Sequence, residues 1–274
     1  MRLALAVQTP DVTLPLPVAL LSGSWTEKVE KAARLGVDGL ELMTAEPSRV
    51  EAHRLRAAME ARGLAAVAVG SGAAAMQSGL HLLHADADVA AQARTRLAEL
   101  IAFAAAMGAP LVTIGSFRGR QASAGADGRA RLGQILRGAA EQAEAAGVRL
   151  ALEPLNRYEA DLILTAEEGL AFVEHVDHDA LGLLLDTYHV NIEEASWEAP
   201  FRRLMQAGRL WHVHLGDNNR LPPGEGMIDF AALVGTLRAL GYTGTLSAEL
   251  LARPDPDTAA RRTVAHMRPL LETL

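Results

Sequence analysis

Short, nearly all-apolar runs alternate with longer amphipathic stretches about eight times along the chain. The runs are Leu3–Val7, Gly39–Met43, Ala65–Val69, Leu111–Ile114, Leu150–Leu155, Leu181–Leu185, Leu210–Leu215 and Thr245–Leu250. Strands apolar on both faces belong to a parallel sheet covered on both sides. The stretches between them carry helix signals. Ser24 stands as N-cap before W-T-E-K-V-E-K-A-A-R-L, and Gly36 closes that segment. Pro47–Arg62 stops at Gly63, Asp86–Met107 at Gly108 and Ala126–Ala146 at Gly147. Trp197–Ala207 stops at Gly208, Asp229–Leu240 at Gly241, and Pro256–Leu274 ends the chain. Thr165 with Glu168 three residues on predicts a capping box.

Strand and helix alternating eight times in 274 residues predict a single (β/α)8 TIM barrel over residues 1–274. An open doubly wound α/β sheet is the alternative. No linker, low-complexity tract or composition break divides the chain. The apolar start is interrupted by Gln8, Pro10 and Asp11, and Leu14–Leu21 carries Pro15 and Pro17. Neither reaches the roughly 18 apolar residues of a spanning helix. A net charge of −7 and a pI near 5.7 weigh against a nucleic-acid or anionic-membrane partner. The absence of cysteine removes disulfides, thiolate metal sites and cysteine nucleophiles. The expectation is a soluble, cytoplasmic enzyme.

The chemistry concentrates where strands end. Arg149–Glu159 reads R-L-A-L-E-P-L-N-R-Y-E, a buried strand finishing on Glu153. Desolvating a carboxylate costs several kcal/mol unless a cation or hydrogen bonds compensate, so a positive group is expected before it. The sixth strand ends at Asp186 with His189 beyond, the seventh carries His212 and His214, and the eighth Glu249. Glu153, Asp186, His214 and Glu249 are 33, 28 and 35 residues apart, about one βα unit each. Taken singly, each acid also fits a salt bridge or a helix cap. Taken together, three carboxylates at one rim would repel, and a divalent cation removes that penalty. An oxygen-rich set with one imidazole suits Mn²⁺, Mg²⁺ or Co²⁺. His212 and His214 share a strand face, so one is expected to be a packed, hydrogen-bonded neighbour. Arg118 and Arg120, in G-S-F-R-G-R after the fourth strand, read either as surface arginines or as a site for an acidic or phosphorylated substrate.

The segments L-E-P-L-N-R-Y-E, L-L-L-D-T-Y-H-V-N-I-E-E, H-V-H-L-G-D-N-N-R, P-G-E-G-M-I-D-F and L-S-A-E-L resemble the xylose isomerase-like TIM-barrel superfamily. Within it the likeness is to the D-tagatose 3-epimerase and D-psicose (allulose) 3-epimerase group, strongest from Leu150 to Leu251. The resemblance implies a divalent-metal-dependent epimerase that inverts C3 of a ketose or keto-acid sugar. It implies Glu153, Asp186, His214 and Glu249 as metal ligands, with His214 preferred to His212 because Arg220 follows it by six. It implies Glu153 and Glu249 as the acid–base pair working through an enediolate, and Glu159, His189 and Arg220 as holders of substrate oxygens. Mn²⁺ is the first candidate ion, and a homodimer or homotetramer the expected assembly. The first strand ends V-Q-T, without the aromatic these epimerases commonly place there, so the sugar stays open. An aldose–ketose or hydroxypyruvate-type isomerase on the same site is the alternative. An apurinic-site endonuclease is remote, because V-G-S and I-G-S end the third and fourth strands without histidine and Ala231 follows Asp229 by two. A non-catalytic carbohydrate-binding barrel would lack the intact acid set.

Overall fold

Eight parallel strands pair in chain order and close into a barrel in the computed structural model, which describes residues 1–272. They are β1 (Arg2–Gln8), β2 (Gly39–Met43), β3 (Ala65–Gly70), β4 (Leu111–Ile114), β5 (Arg149–Leu152), β6 (Leu181–Asp186), β7 (Leu210–Leu215) and β8 (Thr245–Ala248). The closing contact pairs β1 with β8, Arg2 opposite Thr245, so the open sheet is excluded.

Pleat parity sorts each strand into two faces. Leu3, Leu5, Leu40, Leu42, Val112, Ile114, Leu150, Leu152, Leu183 and Leu185 belong to the large core between barrel and helices. The alternate positions are small or polar: Ala4, Glu41, Ala68, Thr113, Ala151, His212, His214 and Ser247. All of them are buried. A continuous apolar reading of these strands therefore hides a lumen that carries the chemistry.

Two strands stop earlier than predicted. β5 ends at Leu152, two residues before Leu155's neighbour Pro154, which has no N–H for the ladder. Glu153 N–H still reaches the Ile114 carbonyl at 3.0 Å, the last bond before the chain turns away. β8 ends at Ala248 because the chain beyond it pairs elsewhere: Leu251 N–H donates to the Arg220 carbonyl at 2.7 Å. Pro47–Arg62 divides into a 3-10 turn, Pro47–Arg49, and a helix, Ala52–Glu60, with extended Val50 between them. The capping box at Ser24 forms with Glu27. At Thr165 only half forms, since the Glu168 carboxylate accepts from Leu164 N–H and not from the cap residue. The helix from Pro256 is described to Glu272; its predicted end at Leu274 lies outside the described residues. Short helices Gly72–Ser78, Gln121–Ala124 and Thr187–Glu193, absent from the periodicity, sit on the C-terminal rim. Among the described residues no helix is long and apolar enough to cross a membrane.

Arg118 corrects both sequence readings of that residue. It is fully buried, neither a surface arginine nor a substrate contact. Nη1 donates to the carbonyls of Glu153 (2.6 Å) and Gly115 (3.3 Å), and Nη2 to those of Leu162 (2.9 Å) and Ile163 (3.2 Å). It thus ties the turn after β4 to the chain after β5, although burial pulls its pKa down to about 10. Arg118→Met should lower unfolding free energy by about 3 kcal/mol, because it leaves the carbonyls of Glu153 and Leu162 without their partner. Exposed Arg120→Ala should stay within about 0.5 kcal/mol. Urea denaturation measures both, and equal effects would contradict the assignment.

Candidate metal centre and active site

The lumen face brings the predicted acids together. Asp186 pairs in register with His214, and His214 with Ser247, whose next lumen-facing neighbour is Glu249. Glu153 follows β5 directly. One donor atom from each of Glu153, Asp186, His214 and Glu249 lies within 4.8 Å of the others. His214 Nδ1 is 3.2 Å from Glu249 Oε2 and 3.5 Å from Glu153 Oε1. Asp186 Oδ1 accepts from Tyr188 N–H at 2.7 Å, capping the helix Thr187–Glu193, which leaves Oδ2 over. Glu153 Oε1, Asp186 Oδ2 and His214 Nδ1 are buried and have no hydrogen-bond partner. Buried polar atoms are rarely left so, and three at one point indicate a missing positive group.

The protonation equilibria agree. Burial and then the Glu153 charge push Asp186 up to about 7. Burial also raises Glu153 above the usual carboxylate range. Burial would depress His214, but the carboxylates of Glu41 and Glu249 outweigh it and hold the imidazolium well above its ordinary value. Burial would likewise raise Glu249, yet His214 beside it keeps the carboxyl below the usual range. Glu153, Asp186 and the His214 imidazole thus favour their protonated forms, while Glu249 stays ionised beside the ring. The donor set fits a divalent ion such as Mn²⁺, Mg²⁺ or Co²⁺.

Glu41 is the residue missed from the sequence. It interrupts the apolar strand G-L-E-L-M, which was the available signal. His214 Nε2 lies 3.1 Å from both Glu41 oxygens, and His212 Nε2 3.0 Å from Oε2. Thr113 Oγ1 donates to Oε1 at 3.0 Å. Glu41 therefore turns Nδ1 of His214 toward the acids by holding Nε2–H, the arrangement that orients metal-binding histidines. Glu41, His212 and His214 are themselves close enough to hold an ion. Their facing atoms already satisfy one another, and His212 is the packed neighbour.

A second group lies above. Asn156 N–H (3.3 Å) and Nδ2 (2.7 Å) both face His189 Nδ1, so Nε2 carries the ring proton, 3.8 Å from Glu153 Oε1. Burial, then the Arg220 charge, keep His189 neutral. Asn156 Nδ2 also donates to Glu159 Oε1 (3.2 Å), which accepts from Arg220 Nη1 at 3.0 Å. Arg220 lies 5.0 Å over the Tyr188 ring and adopts a positive φ of 60°. Buried Asp217 supports that strained backbone: its carbonyl accepts Arg220 N–H at 2.7 Å, and its carboxylate those of Gly224, Gly226 and Ile228. A Cβ on Gly226 would sit 2.3 Å from Asp217 Oδ1, so glycine is required there. A cavity of about 130 Å³ opens over Glu153, His214, Arg220 and Glu249, walled by Pro17 and Val18. The polar Gln8 folds that wall, donating to Val12 O and accepting from Leu16 N–H. Gly115 allows the acid its place, since a Cβ there would lie 2.5 Å from Glu153 Oε2. Arg120 stays exposed and bonds only the carbonyls of Tyr158 and Glu159 among the described residues.

The pattern that defines the xylose isomerase-like TIM barrel matches residues 29–270. The chain belongs to that family. Over 234 residues it is 33% identical to the D-psicose 3-epimerase of Ruminiclostridium cellulolyticum, covering 82% of this chain and 78% of that one. Over 110 residues it is 48% identical to the L-ribulose 3-epimerase of Mesorhizobium japonicum, covering 40% of this chain and 36% of that relative. The crystal structure of D-psicose 3-epimerase with D-tagatose from Clostridium cellulolyticum H10 superposes with a TM-score of 0.79 at 26% identity, covering 100% of each chain. These relatives are ketose 3-epimerases, which are isomerase-class enzymes.

Releasing His214 should weaken any ion held by the four donors. Glu41→Ala is expected to cut Mn²⁺ affinity by roughly 10–100-fold, the usual effect of losing such a partner. Calorimetric titration measures it, with circular dichroism confirming the fold. An unchanged affinity would remove Glu41 from the site.

Proposed function

We propose that this chain, as one barrel domain, is a divalent-cation-dependent epimerase that inverts C3 of a ketose, with Glu153 and Glu249 as the two proton-transfer groups. The observation that carries the reading is the pair of carboxylates converging on His214 Nδ1, at 3.5 and 3.2 Å, beneath an open cavity. Glu153, Asp186, His214 and Glu249 would hold the ion, Mn²⁺ first and Mg²⁺ or Co²⁺ next. When bound, the cation supplies the charge that acidifies the C–H beside a carbonyl and offsets the three carboxylates.

The chain's own groups do the rest. One glutamate takes the C3 proton and the other returns a proton to the opposite face. His189 Nε2–H and the Arg220 guanidinium donate toward the substrate oxygens where charge develops, worth about 3 kcal/mol per donor in comparable sites. Glu159, held by Asn156 and Arg220, orients a hydroxyl. The apolar wall of Pro17, Val18 and Leu155 limits water. The lack of cysteine and the acidic balance fit a cytoplasmic setting and a small sugar in place of nucleic acid. A homodimer or homotetramer is the proposed assembly.

A panel of ketoses, keto-acids and ketose phosphates with Mn²⁺, followed by product NMR in deuterated water, tests the reaction. Deuterium at C3 is the expected result; deuterium at C1 would make the enzyme an aldose–ketose isomerase. Chelation should stop turnover, and added Mn²⁺ should restore it. Glu153→Gln and Glu249→Gln should each abolish activity, and more than a few per cent retained in both would sink the two-base scheme.

A further inference from the structure

A second cleft of about 170 Å³ adjoins the site cavity on the same rim. Ser116, Leu155 and Glu159 line both, so the two are neighbouring compartments. The site cavity alone, about 130 Å³, is small for a ligand pocket. With the cleft it approaches the roughly 300 Å³ at which small-molecule pockets begin.

The cleft has a mixed polar wall over an apolar floor. Asp86 N–H donates to His84 Nδ1 at 3.0 Å, so the neutral ring of His84 presents Nε2–H as a donor. His81 Nδ1 lies 3.1 Å from the Ser116 carbonyl, which only accepts, so the neutral ring of His81 presents Nε2 as an acceptor. Arg120 forms no ion pair among the described residues, and its Nη2 is used only by two carbonyls. The hydroxyls of Ser116 and Ser123 are exposed. Leu83, Leu155 and Ala160 form the buried floor. A phosphate or carboxylate is best met by donors alone. Here it would face the imidazole acceptor of His81 and the Glu159 carboxylate at the boundary. A sugar ring, with hydroxyls that donate and accept and an apolar C–H face, matches every wall.

We propose that this cleft is a subsite for a second, uncharged sugar ring, so that the substrate is a ketose carrying a glycosyl group. The inference rests on the reading that the adjoining site epimerises a ketose. Epimerisation is followed by NMR for D-fructose, for maltulose, lactulose and palatinose, and for fructose 6-phosphate. At least one disaccharide should exceed fructose in kcat/KM by about tenfold, chiefly through KM. His84→Ala, which removes a donor, and Ser123→Trp, which fills the cleft, should each lower that value about five- to tenfold. Both variants should leave fructose within about twofold. Turnover of fructose with no disaccharide preferred, or with the phosphate preferred, would overturn the subsite and leave the epimerase reading standing. Calorimetry on Glu153→Gln separates the two readings in the other direction. Tighter binding of a disaccharide than of fructose, lost with Ser123→Trp added, would support the subsite even if no sugar were turned over.

Discussion

The structure depends on one electrostatic constraint, two buried carboxylates and a half-buried third gathered around one imidazole nitrogen. Each would cost several kcal/mol to desolvate alone, and together they repel. Such a cluster persists only if something else fixes its geometry and a positive charge can balance it. Glu41 supplies the geometry from inside the barrel. By taking Nε2–H of His214 it leaves Nδ1 facing Glu153 and Glu249, and by taking His212 as well it becomes a buried anion shared by two rings. Burial would raise Glu41, yet the two histidines hold its carboxyl well below the usual range. The chain thus spends a buried polar layer of the lumen on orienting a single ring.

The rim repeats that logic with backbone groups. Arg118 gathers carbonyls from the turns after β4 and β5, which sets the place where Glu153 leaves its strand. Asp217 gathers N–H groups from the loop after β7 and supports the positive φ at Arg220. Asn156 fixes the tautomer of His189 and the rotamer of Glu159 at once. A buried charge or amide in each case serves several main-chain partners, as buried polar groups must. Loops of irregular backbone are thereby made as definite as strands, which a site holding groups within a fraction of an ångström requires.

What could be read from the sequence follows the same division. Glu153, Asp186 and Glu249 were legible because barrel strands recur at a regular spacing and their ends are polar against an apolar background, whereas the choice of His214 over His212 came from the family resemblance. Glu41 was just as anomalous within G-L-E-L-M, but it lies mid-strand, where strand-end reasoning does not look. The turn from β5 at Pro154 was legible in principle from the missing N–H. The offset cap at Thr165 was not, because Glu168 has two N–H groups within reach and sequence does not choose between them. Arg118 and Arg120 show the limit most clearly. Two arginines one residue apart read alike, yet one is buried among four carbonyls and the other is exposed. Only the packing of the β5 loop against the 3-10 turn Ser116–Arg118 separates them.

That difference also says where specificity can reside. In the lumen layer Glu41 serves Thr113, His212 and His214 at once, so a change at Glu41 disturbs all three. The rim beyond Leu155 is open, lined by side chains such as His84 and Ser123 and by Arg120, which holds only the carbonyls of Tyr158 and Glu159 among the described residues. A change on the open rim can leave Glu153 and Glu249 in place, whereas one in the lumen layer cannot. The cavity over Glu153 and Glu249 and the cleft beside it are thus walled by different residues, sharing Ser116, Leu155 and Glu159. Of these, Glu159 alone is charged. Its carboxylate pairs with Arg220 at 3.0 Å, so the one charged residue common to both clefts is tied to the guanidinium that lines the deeper one.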